Sequence, residues 1–305
     1  MSTPVAGMVG LGNMGGRMTR RLVAAGHRVL GYDVDPARAA EIGCEPAASV
    51  ADLAAEATVV LLSLPDSGVV ERVVLGDGGL LQSCHEGQVV VDLGTSSPAS
   101  TVRLHARFGE RGVELLDAGI SGGAVAAEAG SLTLMVGGSA QTLEDLAWVT
   151  DPIAASVVHM GAPGNGHLTK VLNNFLNAVS LAATSEVMVA ARKAGLDLAR
   201  VLDVLNSSSG VNFATQKRFP AIITGDYLEG GLTNALMTKD VALYVAALAD
   251  LGVTSLNAAG PLASFGLANN LGYADQISNR VVDALGDAAG GVRLHSSDEH
   301  SEEDA

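Results

Sequence analysis

Five runs rich in Val and Leu recur through the first 119 residues: VAGMVG (5–10), HRVLGYD (27–33), TVVLLSL (58–64), QVVVDL (88–93) and VELLDAG (113–119). Between them lie stretches with helical spacing, such as NMGGRMTRRLVAAG (13–26) and PASTVRLHARFGE (98–110). Strands that are apolar almost throughout, rather than at alternate positions, are buried on both faces. Interleaved with helices, they specify a parallel sheet covered on both sides. SLTLMVGG (131–138) and SVVHMG (156–161) extend that sheet at its far side. After GAPGNG (161–166) the period changes to that of helices. NFLNAVSLAATSEVMVAARKAG reads as one long buried helix. LARVLDVLN, TKDVALYVAALADLG, PLASFGLANNLG and ADQISNRVVDALG follow as further helices, several closed by Gly. The expected architecture is an α/β domain with a doubly wound, mostly parallel sheet over 1–163, then an all-α domain over 164–292. A disordered acidic tail follows over 293–305.

The glycine loop gives the first domain a ligand. GMVGLGNMGGRM (7–18) holds G-x-G-x-x-G as Gly10, Gly12 and Gly15. With 37 glycines in the chain a chance match is easy, so the context decides. The loop follows a strand, opens a helix and begins a βαβ unit, which is the Rossmann-type setting of a dinucleotide fingerprint. Gly10 permits the tight turn, Gly12 lets a pyrophosphate approach the backbone, and Gly15 lets helix and sheet pack closely. The helix N-terminus faces the phosphates. An acid is expected about 20 residues on, and Asp33 ends the second strand. A carboxylate there accepts from ribose hydroxyls and repels a 2′-phosphate, so NAD is expected rather than NADP. Arg38 is the nearby residue that could accommodate NADP.

Composition narrows the remaining classes. The chain has 305 residues, 48% hydrophobic and 17% charged, which is a globular composition with room for two domains. Its formal charge of −15 opposes a phosphate backbone, so no nucleic-acid partner is expected. No apolar run is long enough to span a bilayer, and the N-terminus MSTPVAGMVGLG lacks the pattern of a secretory signal. Two cysteines, Cys44 and Cys84, make no disulfide framework and point to a reducing, cytoplasmic setting. The seven histidines show no metal-ligand spacing, so no metal is expected. The Ala/Val/Leu-rich helical half has more apolar surface than one protomer buries, which predicts a homodimer or homotetramer.

GHLTKVLNN (166–174) places Lys170 and Asn174 one turn apart at the start of the long helix. A lysine on a helix is ordinarily a solvated residue. Other motifs bear on this one: the GLGNMG loop, SLPD (63–66), DLGT (92–95), DAGISGG with AEAGSLTLMVGG (117–138), and LMTKD (236–240). Together, in this order from about residue 5 to about residue 290, they resemble the β-hydroxyacid dehydrogenase family. That family includes 3-hydroxyisobutyrate dehydrogenase and tartronate semialdehyde reductase.

The resemblance implies a role for each motif. Gly10, Leu11, Gly12, Asn13, Met14, Gly15 and Asp33 would hold the cofactor, with Leu64, Pro65 and Thr95 lining its cleft and Lys239 approaching it. Ser121, Gly122 and Gly123 would bind the acid group of the substrate. Lys170 would be the catalytic acid/base, and Asn174 would orient it or the substrate. Asn173 should point away, and His167 reads as a capping or surface residue. SSSGVNFATQKRFP (207–220) departs from the aromatic-containing sequence of the hydroxyisobutyrate enzymes, so the exact substrate stays open. The expected activity is NAD-dependent interconversion of a small 3-hydroxy acid and its semialdehyde. The alternatives are a reductase of another carbonyl or imine on the same fold, and a non-catalytic dinucleotide-binding scaffold.

Overall fold

The apolar runs of the first half become β1 (Val5–Val9), β2 (Arg28–Tyr32), β4 (Val59–Leu62), β5 (Val89–Asp92) and β6 (Glu114–Ser121). The two later runs become β7 (Leu132–Gly137) and β8 (Ala154–Gly161), and a two-residue β3 (Glu45–Pro46) is added at one edge. In this computed structural model, which describes residues 4–295, they form one sheet in the order β3-β2-β1-β4-β5-β6-β7-β8. All neighbours are parallel except β6 and β7, which run antiparallel with Asp117 opposite Gly137 and Ser121 opposite Thr133. Alternate residues serve two cores. Ala6, Met8, Val59, Leu61 and Leu116 pack on one face. Val5, Val9, Val60, Leu62 and Leu115 pack on the other. Because both faces are covered, the strands read as continuous Val/Leu runs.

The chain divides into two compact units, Met1–Val171 and Leu172–Ala305. The division falls inside one 29-residue helix, Asn165–Lys193, whose first turns belong to the sheet unit. In the second unit, Phe175, Leu181, Met188, Leu202, Phe219, Met237, Val241 and Phe265 share a core. Phe175 stacks on Tyr244 with centroids 3.6 Å apart. Further helices span Leu198–Asn206, Asn234–Asp250, Ala259–Ala268 and Val281–Ala288.

Three expectations need correction. The long helix is not buried all round: Leu172, Leu176 and Val187 are exposed, while Phe175, Leu181 and Met188 are buried. The segment 274–277, expected as helix, is a turn in which Ile277 bridges Thr233. The tail does not begin at 293. Leu294 is buried, Arg293 pairs with Asp287, and His295 hydrogen-bonds the Tyr227 hydroxyl at 3.1 Å. The rest of that expected tail, 296–305, lies outside the described residues.

Tyr227 donates to the buried Asp283 carboxylate at 2.7 Å, with the Arg280 guanidinium 3.7 Å from its ring centroid. Desolvation, then the hydrogen bond to Asp283, push the Tyr227 pKa up. A raised folded-state pKa gives stability that is complete below the ordinary tyrosine value of about 10 and lost as pH rises above it. Urea unfolding of wild type should therefore show falling stability above about pH 10, and Tyr227→Phe should flatten that part of the profile.

Candidate active site

The glycine loop has the shape a dinucleotide requires. Gly10 sits at φ +93°, and a Cβ there would strike the Ser63 carbonyl oxygen. A Cβ on Gly15 would strike the Gly10 carbonyl. A Cβ on Gly12 would meet only an Arg38 nitrogen, at 3.9 Å, so the backbone is approachable from that side. As N-cap of the helix Asn13–Ala24, Gly12 brings no side chain to compete for the first-turn N–H groups. Leu11 contributes by its backbone: its side chain is buried in the sheet core, and its N–H donates to Asp33 Oδ2 at 2.7 Å. Asn13 is exposed and Met14 half-buried at the opening of the helix.

Asp33 lies just past β2, and its Oδ1 also accepts the Asp35 N–H at 3.0 Å. Its carboxylate is thus aimed beside the loop with acceptor capacity left over. Arg38 leans onto both acids, its Nε 3.8 Å from Asp33 Oδ1 and 3.6 Å from Asp35 Oδ2. The loops after β4 and β5 adjoin the glycines. The Leu64 side chain lies beside Gly10, Pro65 follows in the open, and Thr95 sits half-buried after β5. Asp92 shapes the Thr95 loop by accepting the Gly94 N–H at 2.9 Å and the Ser96 hydroxyl at 2.7 Å. All these groups lie at the C-terminal ends of parallel strands, where open α/β sheets bind ligands.

The lysine is placed by β6. Asp117, Gly119 and Ser121 are alternate residues and so share one face of that strand. Fully buried Asp117 accepts the Gly164 N–H on Oδ1 at 2.7 Å and the His167 N–H on Oδ2 at 2.8 Å. Those bonds fasten the start of the long helix to the strand. Gly119 comes next: a Cβ there would collide with Cβ and Cγ of Lys170. Gly166 is pressed equally closely on Asp117 and Met135, and Gly137 on Asp117 and Ala162. Lys170 is therefore buried, with its stem along β6 and Ser121 two residues further on the same face. It is not the solvated helix residue of the alternative. Gly122, at φ +125°, and Gly123, at φ +67°, lead from β6 into the helix Gly123–Ala129.

Asn174 belongs to the helical unit. Asn174 is buried, and its Nδ2 donates to Asp240 Oδ2 at 2.6 Å. Lys239 Nζ lies 3.1 Å from Asp240 Oδ1. Asn173 is exposed, with its amide nitrogen 3.3 Å from Asn174 Oδ1. His167 is neither a cap nor a surface residue. It is fully buried, with Nδ1 2.7 Å from Thr101 Oγ1 and Nε2 3.2 Å from the Asp92 carbonyl oxygen. The sequence signal that finds Asp117 is its place two residues before a glycine in a strand that ends on Ser-Gly-Gly.

Among the described residues no group of three His, Cys, Asp or Glu side chains could hold a metal ion, and no helix is long and apolar enough to cross a membrane. Residues 5–161 match the NAD binding domain of 6-phosphogluconate dehydrogenase. Residues 164–284 match the NAD-binding region of NADP-dependent 3-hydroxyisobutyrate dehydrogenase. The chain belongs to the β-hydroxyacid dehydrogenase family. A 2-(hydroxymethyl)glutarate dehydrogenase of Eubacterium barkeri is 34% identical over 79% of this chain and 81% of its own. A 3-hydroxyisobutyrate dehydrogenase of Pseudomonas aeruginosa is 34% identical over 86% and 89%. The structure of Mycobacterium tuberculosis 3-hydroxyisobutyrate dehydrogenase with L-serine has a TM-score of 0.83 at 31% identity, over 93% of this chain and 99% of that one. As a β-hydroxyacid dehydrogenase, the protein is a hydroxyacid oxidoreductase that uses a nicotinamide dinucleotide.

Asp117→Asn keeps one acceptor oxygen and replaces the other by a donor facing a donor. Hydrogen bonds to charged groups contribute about 1.5–3 kcal/mol, so a loss of about that size is expected. Urea unfolding monitored on the sheet unit should record it.

Proposed function

We propose that this β-hydroxyacid dehydrogenase oxidises a small 2-substituted 3-hydroxypropanoate to its semialdehyde, or reduces the semialdehyde, with NAD and with Lys170 as acid/base. The observation that carries the proposal is the burial of Lys170 along the face of β6 that ends at Ser121. Compounds in the names of the three relatives support the substrate class. Hydroxyisobutyrate, 2-(hydroxymethyl)glutarate and L-serine all carry a primary alcohol one carbon from the carbon bearing the carboxylate, and differ in the substituent on that carbon.

The nicotinamide dinucleotide supplies or accepts the hydride when bound. Everything else falls to the chain. The Ser121 hydroxyl and the N–H groups of Gly122 and Gly123 can hold a carboxylate without a cationic side chain. Lys170 as ammonium gives a proton to the forming alkoxide in reduction. As the neutral amine it takes the hydroxyl proton in oxidation. Asn174 is held by Asp240, so its amide presents a fixed orientation. Positioned proton transfer contributes roughly a hundred- to ten-thousand-fold in rate. Lys170→Ala should lose at least that much in kcat while NADH affinity, read by fluorescence titration, changes little. Lys170→Arg should also be poor, because guanidinium holds its proton at working pH. Near-normal turnover in Lys170→Ala would sink the assignment.

NAD is preferred in this proposal because Asp33 is aimed beside the loop, and because the neighbouring cation Arg38 already leans on two carboxylates. Comparing kcat/KM with NAD and NADP tests it, and a clear NADP preference would transfer the role to Arg38. A homodimer or homotetramer is supported by Leu172, Leu176 and Val187 exposed along one helix. Light scattering at micromolar concentration should show a multiple of 30.8 kDa, and only the 30.8 kDa species would contradict it. The buried free thiols of Cys44 and Cys84 favour a reducing, cytoplasmic setting, which fractionation of the native host would check.

A further inference from the structure

His167 has no part in the proton transfer proposed for Lys170, yet its ring is fully buried with a partner at each nitrogen. Its main chain is already engaged, since the N–H donates to Asp117 Oδ2 at 2.8 Å. An apolar side chain would fill the same space. A polar ring in that place needs a reason, because burial strips its hydration and only well-placed partners restore what is lost.

The two partners stand at the two ends of one loop. Asp92 closes β5, residues 93–97 follow, and Thr101 lies in the first turn of the helix Pro98–Gly109. Nε2 is 3.2 Å from the Asp92 carbonyl oxygen before the loop, and Nδ1 is 2.7 Å from Thr101 Oγ1 after it. A carbonyl only accepts, so Nε2 carries a proton, whereas the hydroxyl can donate or accept. The ring therefore staples the entry of the loop to its exit. The start of the long helix presses on the same region, since a Cβ on Gly164 would lie 3.3 Å from the Pro98 carbonyl oxygen.

The stapled loop carries Thr95. Its own bonds are the Gly94 N–H and the Ser96 hydroxyl to the Asp92 carboxylate, and the Ser97 N–H to Ser67 Oγ at 2.7 Å. Gly94 also closes on the loop after β4, because a Cβ there would lie 3.4 Å from the Leu64 carbonyl oxygen. The Leu64 side chain lies in turn beside Gly10. Close contacts thus run from the His167 ring through the Thr95 loop to the glycine turn, all within the sheet unit.

We propose that His167 is a positioning residue for the dinucleotide, holding residues 93–97 in the shape that receives it. His167 acts through the loop and not on the reacting atoms. The proposal rests on the reading of Leu64 and Thr95 as lining of the cofactor cleft, and on neither the substrate nor the role of Lys170.

The test compares wild type, His167→Gln and His167→Asn. A glutamine amide reaches about as far as Nε2 and can still donate to the Asp92 carbonyl. An asparagine amide reaches only as far as Nδ1 and leaves that buried carbonyl without its donor. The Thr101 hydroxyl keeps an acceptor in both, the Ser97 carbonyl oxygen at 3.1 Å. One hydrogen bond corresponds to roughly 2- to 10-fold in an equilibrium. His167→Asn should bind NADH more weakly by about that factor in fluorescence titration, and raise KM for NAD but not for the hydroxy acid. Amide hydrogen exchange over 93–97, measured on the full chain without added cofactor, should quicken by a similar factor. His167→Gln should stay within about twofold of wild type in each. Thr101→Val keeps the ring and removes its partner beyond the loop, so it should move NADH affinity and exchange in the same direction as His167→Asn. It carries the test if His167→Asn does not fold. Equal losses in His167→Gln and His167→Asn with a lowered Tm would make the ring a packing element and overturn the proposal. So would unchanged exchange over 93–97, or unchanged NADH affinity, in His167→Asn and Thr101→Val. If wild type turns over no hydroxy acid while NADH affinity and exchange follow the expected order, the proposed reaction fails and the staple stands.

Discussion

A single buried carboxylate holds the start of the long helix on the sheet. Asp117 lies fully buried in β6, and its two oxygens accept the N–H groups of Gly164 and His167. A desolvated carboxylate without donors would be costly. Supplied with two, it becomes a fixed joint between a strand and the start of a helix. Close packing does the rest. Gly119, Gly137 and Gly166 remove three side chains from the junction, so the helix rests directly on the backbones of β6 and β7. Once that first turn is seated, helical geometry sets where residue 170 leaves the backbone.

The acids of the chain divide their work by location. Asp33 and Asp92 stand just after or at the ends of parallel strands and organise loops beside the glycine turn. Asp240, buried on a helix, joins Lys239 to Asn174. His167 extends the joint sideways by bridging Thr101 and the carbonyl of Asp92. The β5 loop and the first turn of the long helix are thereby members of one hydrogen-bonded set within the sheet unit.

How far the sequence reveals this depends on the range of the interaction concerned. Continuous Val/Leu runs, the glycine loop and the acid after β2 are local patterns with a local cause, and each appears where its spacing places it. Lys170 and Asn174 are legible as an i, i+4 pair, because helical phase is local too. What the sequence hides is non-local. Nothing around His167 announces a fully buried ring, because its partners Thr101 and Asp92 come from other elements. The reversal of β7 against β6 depends on a short connection, not on anything in the strand's own residues. The exposure of Leu172 and Leu176 is invisible in a run apolar on every side. The partners of Arg218, Asn177 and Asn279, lie 41 and 61 positions away from it.

The unbroken length of the helix Asn165–Lys193 has an effect on how such a chain can change over time. Lys170, Asn174 and Asn177 all lie on this one continuous helix. A single residue inserted between 170 and 174 shifts the helical phase between them by about 100°. Point substitution along this rod can leave that phase intact. Gain or loss of a residue cannot, short of about two whole turns, and even then the spacing grows by about 10 Å. The segment should therefore hold its length while the loops around it drift, much as the bitting of a key survives wear on its bow.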